Sequence, residues 1–225
     1  MCTDGDVAVC VLSDAPQPTP LDPGCGNRCA IVALMSSERK THVSPEEYLT
    51  LERKSEVKSE YLDGDMVAMS GGSREHNLIV TNFVGEIRTQ LKGRPCEVYP
   101  SNMRVKVSAT GLYTYPDVAV ACGEPQFEDE SVDTLINPTL IVEVLSDSTE
   151  AYDRGAKFGH YRKIESLVEY LLISQHQYGI EQYVRQTAGP WLRLETRGYK
   201  GRLELQSVQC AIDLAEIYDR ITFPL

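Results

Sequence analysis

The first part of the chain with a regular pattern of apolar and polar residues predicts a helix followed by a β-hairpin. In SPEEYLTLERKS, Ser44 can cap a helix, Pro45 suits its first position, and Glu47 completes a Ser-x-x-Glu capping box. The next stretch, EYLDGDMVAMS, holds two short apolar runs on either side of the dipeptide Asp63-Gly64. Two apolar runs around such a dipeptide are the signal of a hairpin with a tight turn.

A longer helix and a series of strands follow the hairpin. The stretch HNLIVTNFVGEIRTQL repeats apolar residues every three to four positions, which predicts an amphipathic helix that ends at Gly93. Strands are predicted for CEVYPS, NMRVKVS, YTYPDVAVAC, TLIVEVLS and LVEYLLIS, and for the alternating segments 178–187 and 190–197. Helices are predicted at AYDRGAKFGHYRKI, between the fourth and fifth of these strands, and at AIDLAEIYDRI near the end. This order indicates an α/β (α+β) fold with a central mixed β-sheet flanked by helices.

Other stretches lack this periodicity. Residues 1–40 contain the Pro- and Gly-rich run APQPTPLDPGCGN, so we predict a disordered leader there and a single domain over residues 41–225. The acidic stretch at 124–133 is typical of a solvated surface loop, and the Gly-Gly-Ser at 71–73 of a mobile connection. The latter lacks the Lys-Ser or Lys-Thr of a phosphate-binding loop.

The composition is that of a soluble protein. Its 225 residues, 42% of them hydrophobic, suffice for one domain with a sizeable core. No stretch approaches the ~18 consecutive apolar residues that a membrane-spanning helix needs. The apolar patch CAIVALM follows acidic and Pro-rich sequence, where a secretory signal would carry positive charge. We therefore predict a cytoplasmic protein without a membrane partner.

The net charge of −11 limits how this protein can bind nucleic acid. Lysine and arginine side chains that neutralise phosphates supply most non-specific affinity for DNA, so the charge argues against a broad cationic face. A local basic groove remains compatible with it. The candidates for such a groove are Arg88, Lys92, Arg94, Arg104 and Lys106.

The seven cysteines are unevenly distributed, with Cys25 and Cys29 close together near the N-terminus and Cys96, Cys122 and Cys210 scattered over the rest. A zinc site at the first pair would need a second pair of ligands at a suitable spacing, and none follows. In a reducing cytoplasm we expect the cysteines to be free thiols.

Two acidic residues lie inside apolar strand sequence, where an unpaired charge is expensive. Asp117 follows Tyr115-Pro116 and opens VAVAC, and Glu143 interrupts LIVEVL. If these strands are neighbours, the two carboxylates can share a hard divalent cation, which prefers oxygen ligands. Such a cation supports phosphodiester hydrolysis by lowering the pKa of bound water and stabilising the charge of the transition state. Lys157, on the predicted helix after Glu143, would add a positive charge beside the attacking water.

Each of these residues also has a purely structural interpretation. Asp153 and Lys157 are four apart on a helix in the favourable order, so Lys157 could form only an exposed ion pair. Asp117 could cap a turn through its short side chain, and Glu143 could pair with a buried arginine, because ion-pair networks also perturb carboxylates. Spacing alone does not choose between these interpretations.

Longer segments resemble a known family. SEYLDGDMVAMSGGSREHN, YTYPDVAVAC and NPTLIVEVLSDSTEAYDRGAKFGHYRKIESLVEYLLIS resemble, in this order, motifs of the Uma-two family of predicted restriction endonucleases, which belongs to the PD-(D/E)XK nuclease superfamily. The resemblance runs from about Ser44 to the C-terminus. It implies a restriction-endonuclease-like fold and a DNA endonuclease that depends on Mg²⁺ or Mn²⁺.

The resemblance also implies roles for single residues. It makes Asp117 and Glu143 metal ligands, and it makes Glu60 in SEYLDG a further ligand or a group that orients metal-bound water. The sequence departs from the superfamily pattern because Leu145, and not a lysine, stands two residues after the second acid. In the family a lysine from the following helix takes this place, and Lys157 in DRGAKF matches it.

Two further residues, His76 and Tyr161, are candidates for contact with the substrate. His76 in REHN matches a histidine of the family that would touch substrate or metal, and it could equally be a helix-start residue that bonds the backbone. Tyr161 lies four residues after Lys157 and could position it, although an aromatic residue at this spacing is also typical of a core.

Two functions are compatible with the sequence. The first is a divalent-metal-dependent DNA endonuclease, for which a homodimer is suggested only by analogy with enzymes that cut two strands. The second is a nuclease fold that binds DNA or protein without catalysis, which the strong negative charge and the displaced lysine favour. The position of Lys157 distinguishes them, because catalysis requires it to fold back toward Glu143.

Overall fold

The computed structural model describes residues 42–223, and the disordered leader predicted at residues 1–40 lies outside this range. Its helices are α1 (Pro45–Glu52), α2 (Arg74–Gln90), α3 (Glu150–Tyr152), α4 (Phe158–Tyr161) and α5 (Leu214–Ile217), with a π-helix at Asp153–Lys157. Its strands are β1 (Ser59–Leu62), β2 (Asp65–Ala68), β3 (Cys96–Pro100), β4 (Arg104–Val107), β5 (Leu112–Thr114), β6 (Val118–Cys122), β7 (Thr134–Leu135), β8 (Leu140–Leu145), β9 (Glu169–Ser174), β10 (Gly179–Val184), β11 (Leu192–Arg197), β12 (Arg202–Leu205) and β13 (Cys210–Asp213). None of these helices has the length and apolar character needed to cross a membrane.

A six-stranded sheet with the order β11-β10-β9-β8-β6-β3 forms the centre of the fold. Strands β8 and β9 run parallel and the other neighbours run antiparallel, so the predicted mixed sheet is confirmed. All six residues of β8 are buried, as expected of an apolar strand that is covered on both faces. One face of the sheet packs against α2, α5 and the β12–β13 hairpin. The other face packs against a second large sheet and α4.

Local signals in the sequence set the bounds of the first elements. The Ser44 hydroxyl accepts a hydrogen bond of 3.2 Å from the Glu47 N–H, and the Glu47 carboxylate accepts one of 2.9 Å from the Ser44 N–H. This pair is the predicted capping box of α1. Asp63 and Gly64 have φ angles of 48° and 84°, the positive values that a primed hairpin turn requires at both central positions. The turn joins β1 and β2 as the predicted antiparallel hairpin.

The second large sheet, with the order β2-β1-β5-β4-β7, was not predicted from the sequence. It corrects the interpretation of YTYPDVAVAC as one strand. The chain leaves the second sheet after Thr114, at the end of β5, and enters the central sheet at Val118, where β6 begins. Pro116 lies between them and cannot donate to a sheet ladder. The break between the two sheets therefore places Asp117 at the start of a central strand.

The helix predicted after β8 is present, and one of its turns is irregular. Residues 150–161 keep helical backbone angles through α3 and α4, but Asp153–Lys157 between them form a π-helix. π-helices are rare and are frequently found at functional sites. This irregular turn contains Lys157, the lysine that the sequence singles out.

The acidic stretch at 124–133 is a loop, as predicted, but its carboxylates bind cations of the second sheet. Asp133 lies 3.0 Å from the buried Arg104, and Glu128 pairs with Lys106. Both basic residues lie on β4 and are engaged by this loop. Arg104 and Lys106 are therefore already paired with acids, and a basic groove formed by Arg88, Lys92 and Arg94 stays a prediction.

Cys96 and Cys122 form a disulfide between β3 and β6, which corrects the expectation of free thiols at these positions. They are direct partners in the antiparallel register of the two strands. The fold thereby joins residues that are 26 positions apart, a pairing that local spacing cannot show. Cys210 is free and buried, and the cysteines near the N-terminus lie outside the described residues.

Replacing both Cys96 and Cys122 by serine is expected to lower the free energy of unfolding by about 3 kcal/mol under oxidising conditions, because the disulfide restricts the unfolded chain. Urea unfolding of the wild type and the double variant, each with and without a reducing agent, measures this effect. The wild type should lose the same stability when it is reduced, and the double variant should not respond. Equal stability of the two oxidised proteins would contradict the prediction.

Candidate active site

Asp117 and Glu143 lie side by side on neighbouring strands of the central sheet. Val118 pairs with Val142 in the register of β6 and β8, so Asp117, one residue before β6, lies opposite Glu143. The backbone N–H of Asp117 donates to Glu143 Oε2 at 3.3 Å. Asp117 Oδ2 in turn accepts a hydrogen bond of 2.7 Å from the N–H of Val144. The two acids that interrupt apolar sequence are thus neighbours in the fold.

Lys157 folds back from the π-helix onto these acids. Its Nζ lies 3.0 Å from Glu143 Oε1, 2.9 Å from Glu60 Oε1 and 3.5 Å from Asp153 Oδ1. Only 6% of the lysine side chain is exposed. The interpretation of Lys157 as part of an exposed ion pair is therefore wrong, because the pair with Asp153 is buried and is one of three.

Glu60 reaches the site from the second sheet, where it lies on β1. Strand β1 pairs with β5, and the Thr114 hydroxyl at the end of β5 donates to Glu60 Oε1. The same oxygen contacts Lys157. The site therefore combines groups of both sheets and of the helix between β8 and β9. We call Lys157 and the acids around it, Glu60, Asp117, Glu143 and Asp153, the lysine–acid cluster.

Burial makes the carboxylates of this cluster harder to ionise. The pKa of Glu143 is raised to about 8: burial is the largest cause, the charge of Lys157 opposes it, and the charges of Asp117 and Asp153 add to it. Burial also raises the pKa of Asp153, against the attraction of Lys157. For Lys157, burial lowers the pKa, but the surrounding acids outweigh burial and raise it well above its usual value. A cation bound beside these acids would favour their ionised forms.

His76 binds the other oxygen of Asp117. Its Nε2 lies 2.9 Å from Asp117 Oδ1. Burial lowers the pKa of His76, but the contact with Asp117 outweighs burial, so the pKa lies above its usual value. His76 is also a helix-start residue, since its N–H donates at 3.0 Å to Ser73, the N-cap of α2. A Cβ at Gly72 would lie 2.7 Å from the His76 ring. A side chain at position 72 would therefore displace the histidine.

Tyr161 contacts the lysine–acid cluster through Glu143 as well as through Lys157. It is fully buried, and its hydroxyl donates at 2.8 Å to Glu143 Oε1, the oxygen that also contacts Lys157. The structure therefore assigns Tyr161 to the positioning of Glu143. Its burial corrects the expectation that it contacts the substrate.

Two residues beside Lys157 were not predicted to belong to the site. The sequence predicts Asp153 only as a surface partner of Lys157, and it gives no role to Tyr152. The Tyr152 ring lies 5.8 Å from the Lys157 ammonium, and burial together with the charge of Glu60 raises the pKa of its hydroxyl to about 12. These residues precede Lys157 by four and five positions, the spacings that helical turns bring together, so spacing was the available signal.

The donor set fits a hard divalent cation that is held by two carboxylates. In the part of the chain that the structure describes, no three His, Cys, Asp or Glu side chains are arranged to hold a metal by themselves. Mg²⁺ does not need such a cage, because it usually binds one or two carboxylates and takes its other ligands from water and phosphate. Asp117 and Glu143 offer two adjacent carboxylates. Lys157 contacts both Glu60 and Glu143, and the roles of Asp117, Glu143 and Glu60 as direct ligands stay predictions.

Comparisons with known proteins find relatives over most of the chain. The Uma2 family model, described as "Putative restriction endonuclease", matches residues 45–215, a range that includes every residue of the cluster. Two uncharacterized proteins of Synechocystis sp., slr1290 and sll1609, are 39% and 38% identical to the chain. The first match covers 80% of this chain and 94% of the relative. The second covers 70% and 89%.

A solved structure shares the fold. The crystal structure of a protein from Anabaena variabilis, described as a putative nuclease belonging to DUF820, matches with a TM-score of 0.64 and 18% sequence identity. The match covers 78% of this chain and 97% of that chain. At this identity the likeness concerns the fold alone, and it confirms the predicted nuclease-like α+β architecture.

Proposed function

Because the chain belongs to the Uma2 family of restriction endonuclease-like proteins, we propose that it is a divalent-metal-dependent endonuclease that hydrolyses phosphodiester bonds of DNA. One observation carries the proposal. The Lys157 ammonium lies 3.0 Å from Glu143, which is itself hydrogen-bonded to Asp117. A lysine beside two neighbouring acids is the set of groups that this reaction uses.

Each side chain of the site has a task in this reaction. Asp117 and Glu143 would hold Mg²⁺ or Mn²⁺, and a cation bound there supplies Lewis-acid stabilisation of the charge that develops on the phosphate. Lys157 presents its ammonium to the attacking water or to an oxygen of the scissile phosphate, in a buried site where a charge acts more strongly than in water. Glu60 holds Lys157 in place, and His76 fixes the carboxylate of Asp117.

A second candidate function is binding of DNA or of a protein without cleavage. The described residues lack a site with three ready metal ligands. This observation suits a fold that has kept the architecture of a nuclease without its chemistry. The two candidates differ in whether the carboxylates bind a divalent cation and whether DNA is cut.

Purified full-length protein is expected to cut supercoiled or branched DNA in the presence of Mg²⁺ or Mn²⁺. Asp117→Asn and Glu143→Gln should each abolish cleavage, because each removes a negative charge from the metal site and keeps the shape of the side chain. Glu216→Gln changes an exposed acid on α5 and should cleave like the wild type. Cleavage that survives both site substitutions would refute the assignment. DNA binding by a wild type that never cleaves would favour the second candidate.

Metal binding gives the same experiment a readout that does not depend on activity. At a free concentration of about 100 times its dissociation constant, Mn²⁺ should stabilise the wild type by about 2.7 kcal/mol. The melting temperature of the wild type should therefore rise, and that of Asp117→Asn should not. A rise of equal size in both proteins would place the metal elsewhere.

The proposal includes a homodimer on DNA. One cluster can act on one strand at a time, so cutting both strands together requires two clusters, by analogy with other enzymes that do so. Nicked circles as the first product from supercoiled plasmid indicate one cluster acting alone. Linear product without a nicked intermediate indicates two.

A further inference from the structure

Lys58 lies beside the lysine–acid cluster but is not part of it. It immediately precedes β1, and its carbonyl accepts a hydrogen bond of 2.8 Å from the Met69 N–H, which extends the pairing of β1 with β2. Side chains two apart on an extended strand point to the same face. Lys58 therefore shares a face with Glu60, the residue that contacts Lys157.

Two contacts fix the Lys58 ammonium next to Asp117. Its Nζ donates at 2.8 Å to the carbonyl oxygen of Ser101, and the Ser101 hydroxyl donates at 3.3 Å to the carbonyl oxygen of Asp117. The ammonium also lies 5.5 Å from the centre of the Tyr115 ring. The side chain is half-buried, so these contacts hold its charged end in one place.

The Lys58 ammonium has no close counter-ion. Within residues 42–223, no carboxylate oxygen lies within 4.0 Å of its Nζ, although the charges of Asp117 and Glu52 attract it from farther away. Lys106 and Lys157, by contrast, each form an ion pair. An ammonium has three N–H donors, and one of them is used on Ser101. The remaining two are available to an anion.

We propose that Lys58 binds a phosphate of the DNA backbone and so holds the strand across Asp117 and Glu143. The ligand class is a phosphodiester, because an ammonium recognises phosphate as a point charge and reads no sequence. The proposal rests on the proposed function, since it needs DNA at this site. Lys58 is thus a substrate-binding residue that supplies positive charge to an otherwise acidic protein.

Two substitutions separate the charge of Lys58 from its hydrogen bond. Lys58→Gln keeps a donor for the Ser101 carbonyl and loses the charge, whereas Lys58→Arg keeps the charge. A purely structural role predicts that the glutamine variant behaves like the wild type. A phosphate-binding role predicts that only the arginine variant does. Lys54→Gln, at an exposed lysine four residues earlier, is the matched control.

Binding of fluorescent duplex DNA to the full-length protein is measured in EDTA, where no cleavage occurs, over a series of salt concentrations. Lys58→Gln should bind about five- to tenfold more weakly at 0.1 M salt, and the slope of log affinity against log salt should shrink by about one. Lys58→Arg and Lys54→Gln should stay within about twofold of the wild type, which is the variation expected when no phosphate contact is lost. Melting temperatures of all variants check that the fold is kept.

Kinetics with Mg²⁺ or Mn²⁺ add a second readout. Lys58→Gln should raise KM by a similar factor and leave kcat unchanged within about twofold, since it removes binding and not chemistry. A Lys58→Gln protein with wild-type affinity and salt slope would overturn the proposal, and so would a fall in kcat without a loss of binding. If the wild type cleaves DNA and the variant matches it, only the role of Lys58 fails. A wild type that neither binds nor cleaves DNA refutes the proposed function as well.

Discussion

Lys157→Met is expected to abolish DNA cleavage and to lower the stability of the metal-free protein by about 3–5 kcal/mol. Methionine fills a similar volume without a charge, so Glu60 and Glu143 lose the buried cation that both contact. The loss of cleavage should reach at least about 10²-fold, because a preorganised charge is removed from a buried site. Plasmid cleavage rates and urea unfolding in EDTA at pH 9 measure the two effects.

Two further variants show which effect belongs to which cause. Lys163→Met removes an exposed lysine just after α4 and should match the wild type in both assays. Glu60→Gln combined with Lys157→Met removes one of the unpaired acids, so it should recover part of the stability and none of the cleavage. A Lys157→Met protein with wild-type stability would argue against the buried ion pairs. One with a wild-type cleavage rate would eliminate Lys157 from the mechanism.

Glu143→Gln is expected to remove much of the pH dependence of stability of the metal-free protein. Folding raises the pKa of Glu143 from 4.5 to about 8, chiefly through burial. Between these values the folded protein keeps a proton that the unfolded chain releases. The stability that comes from this proton is fully present below pH 4.5 and is lost as the pH rises through about 8. A pKa difference of one unit corresponds to about 1.4 kcal/mol, so the loss for the wild type is about 5 kcal/mol over the full range and about 4 kcal/mol between pH 5 and pH 9.

Urea unfolding between pH 5 and pH 9 in EDTA tests this prediction. The difference in free energy of unfolding between wild type and Glu143→Gln isolates this carboxyl from the other groups that titrate. As the pH rises from 5 to 9, the glutamine variant should gain about 4 kcal/mol of stability relative to the wild type. Glu216→Gln, at an exposed acid, should follow the wild-type curve. Parallel curves for wild type and Glu143→Gln would mean that Glu143 is ionised throughout.

Elements defined by local chemistry were predictable from the sequence. The capping box of Ser44 and Glu47 and the turn at Asp63-Gly64 act through neighbours in the chain, and both are present. The second sheet was not predictable, because its strands are only two to four residues long and some of them pair with distant segments, as Tyr61 does with Tyr113. Such registers depend on the whole fold and not on a local pattern.

The same distinction applies to the site. Asp117 and Glu143 were recognisable because an acid inside apolar strand sequence is unusual, and a helix after β8 was enough to suggest Lys157. The burial of Asp153 was not recognisable, because it depends on how the π-helix packs against both sheets. Lys58 was missed for a similar reason, since only the pairing of distant strands brings it near Asp117.

The hydrogen bond from Val144 to Asp117 has a consequence for reading the sequences of relatives. The register of β6 and β8 puts Pro116 opposite Val144, and the Asp117 carboxylate accepts the N–H bond there. A residue without an acceptor at position 117 leaves this donor unsatisfied, at a cost of about 1–3 kcal/mol. Selection for folding alone therefore retains an acceptor here, even in a descendant that has lost its activity. An aspartate at this position indicates that the sheet is intact, and it does not by itself identify an active nuclease.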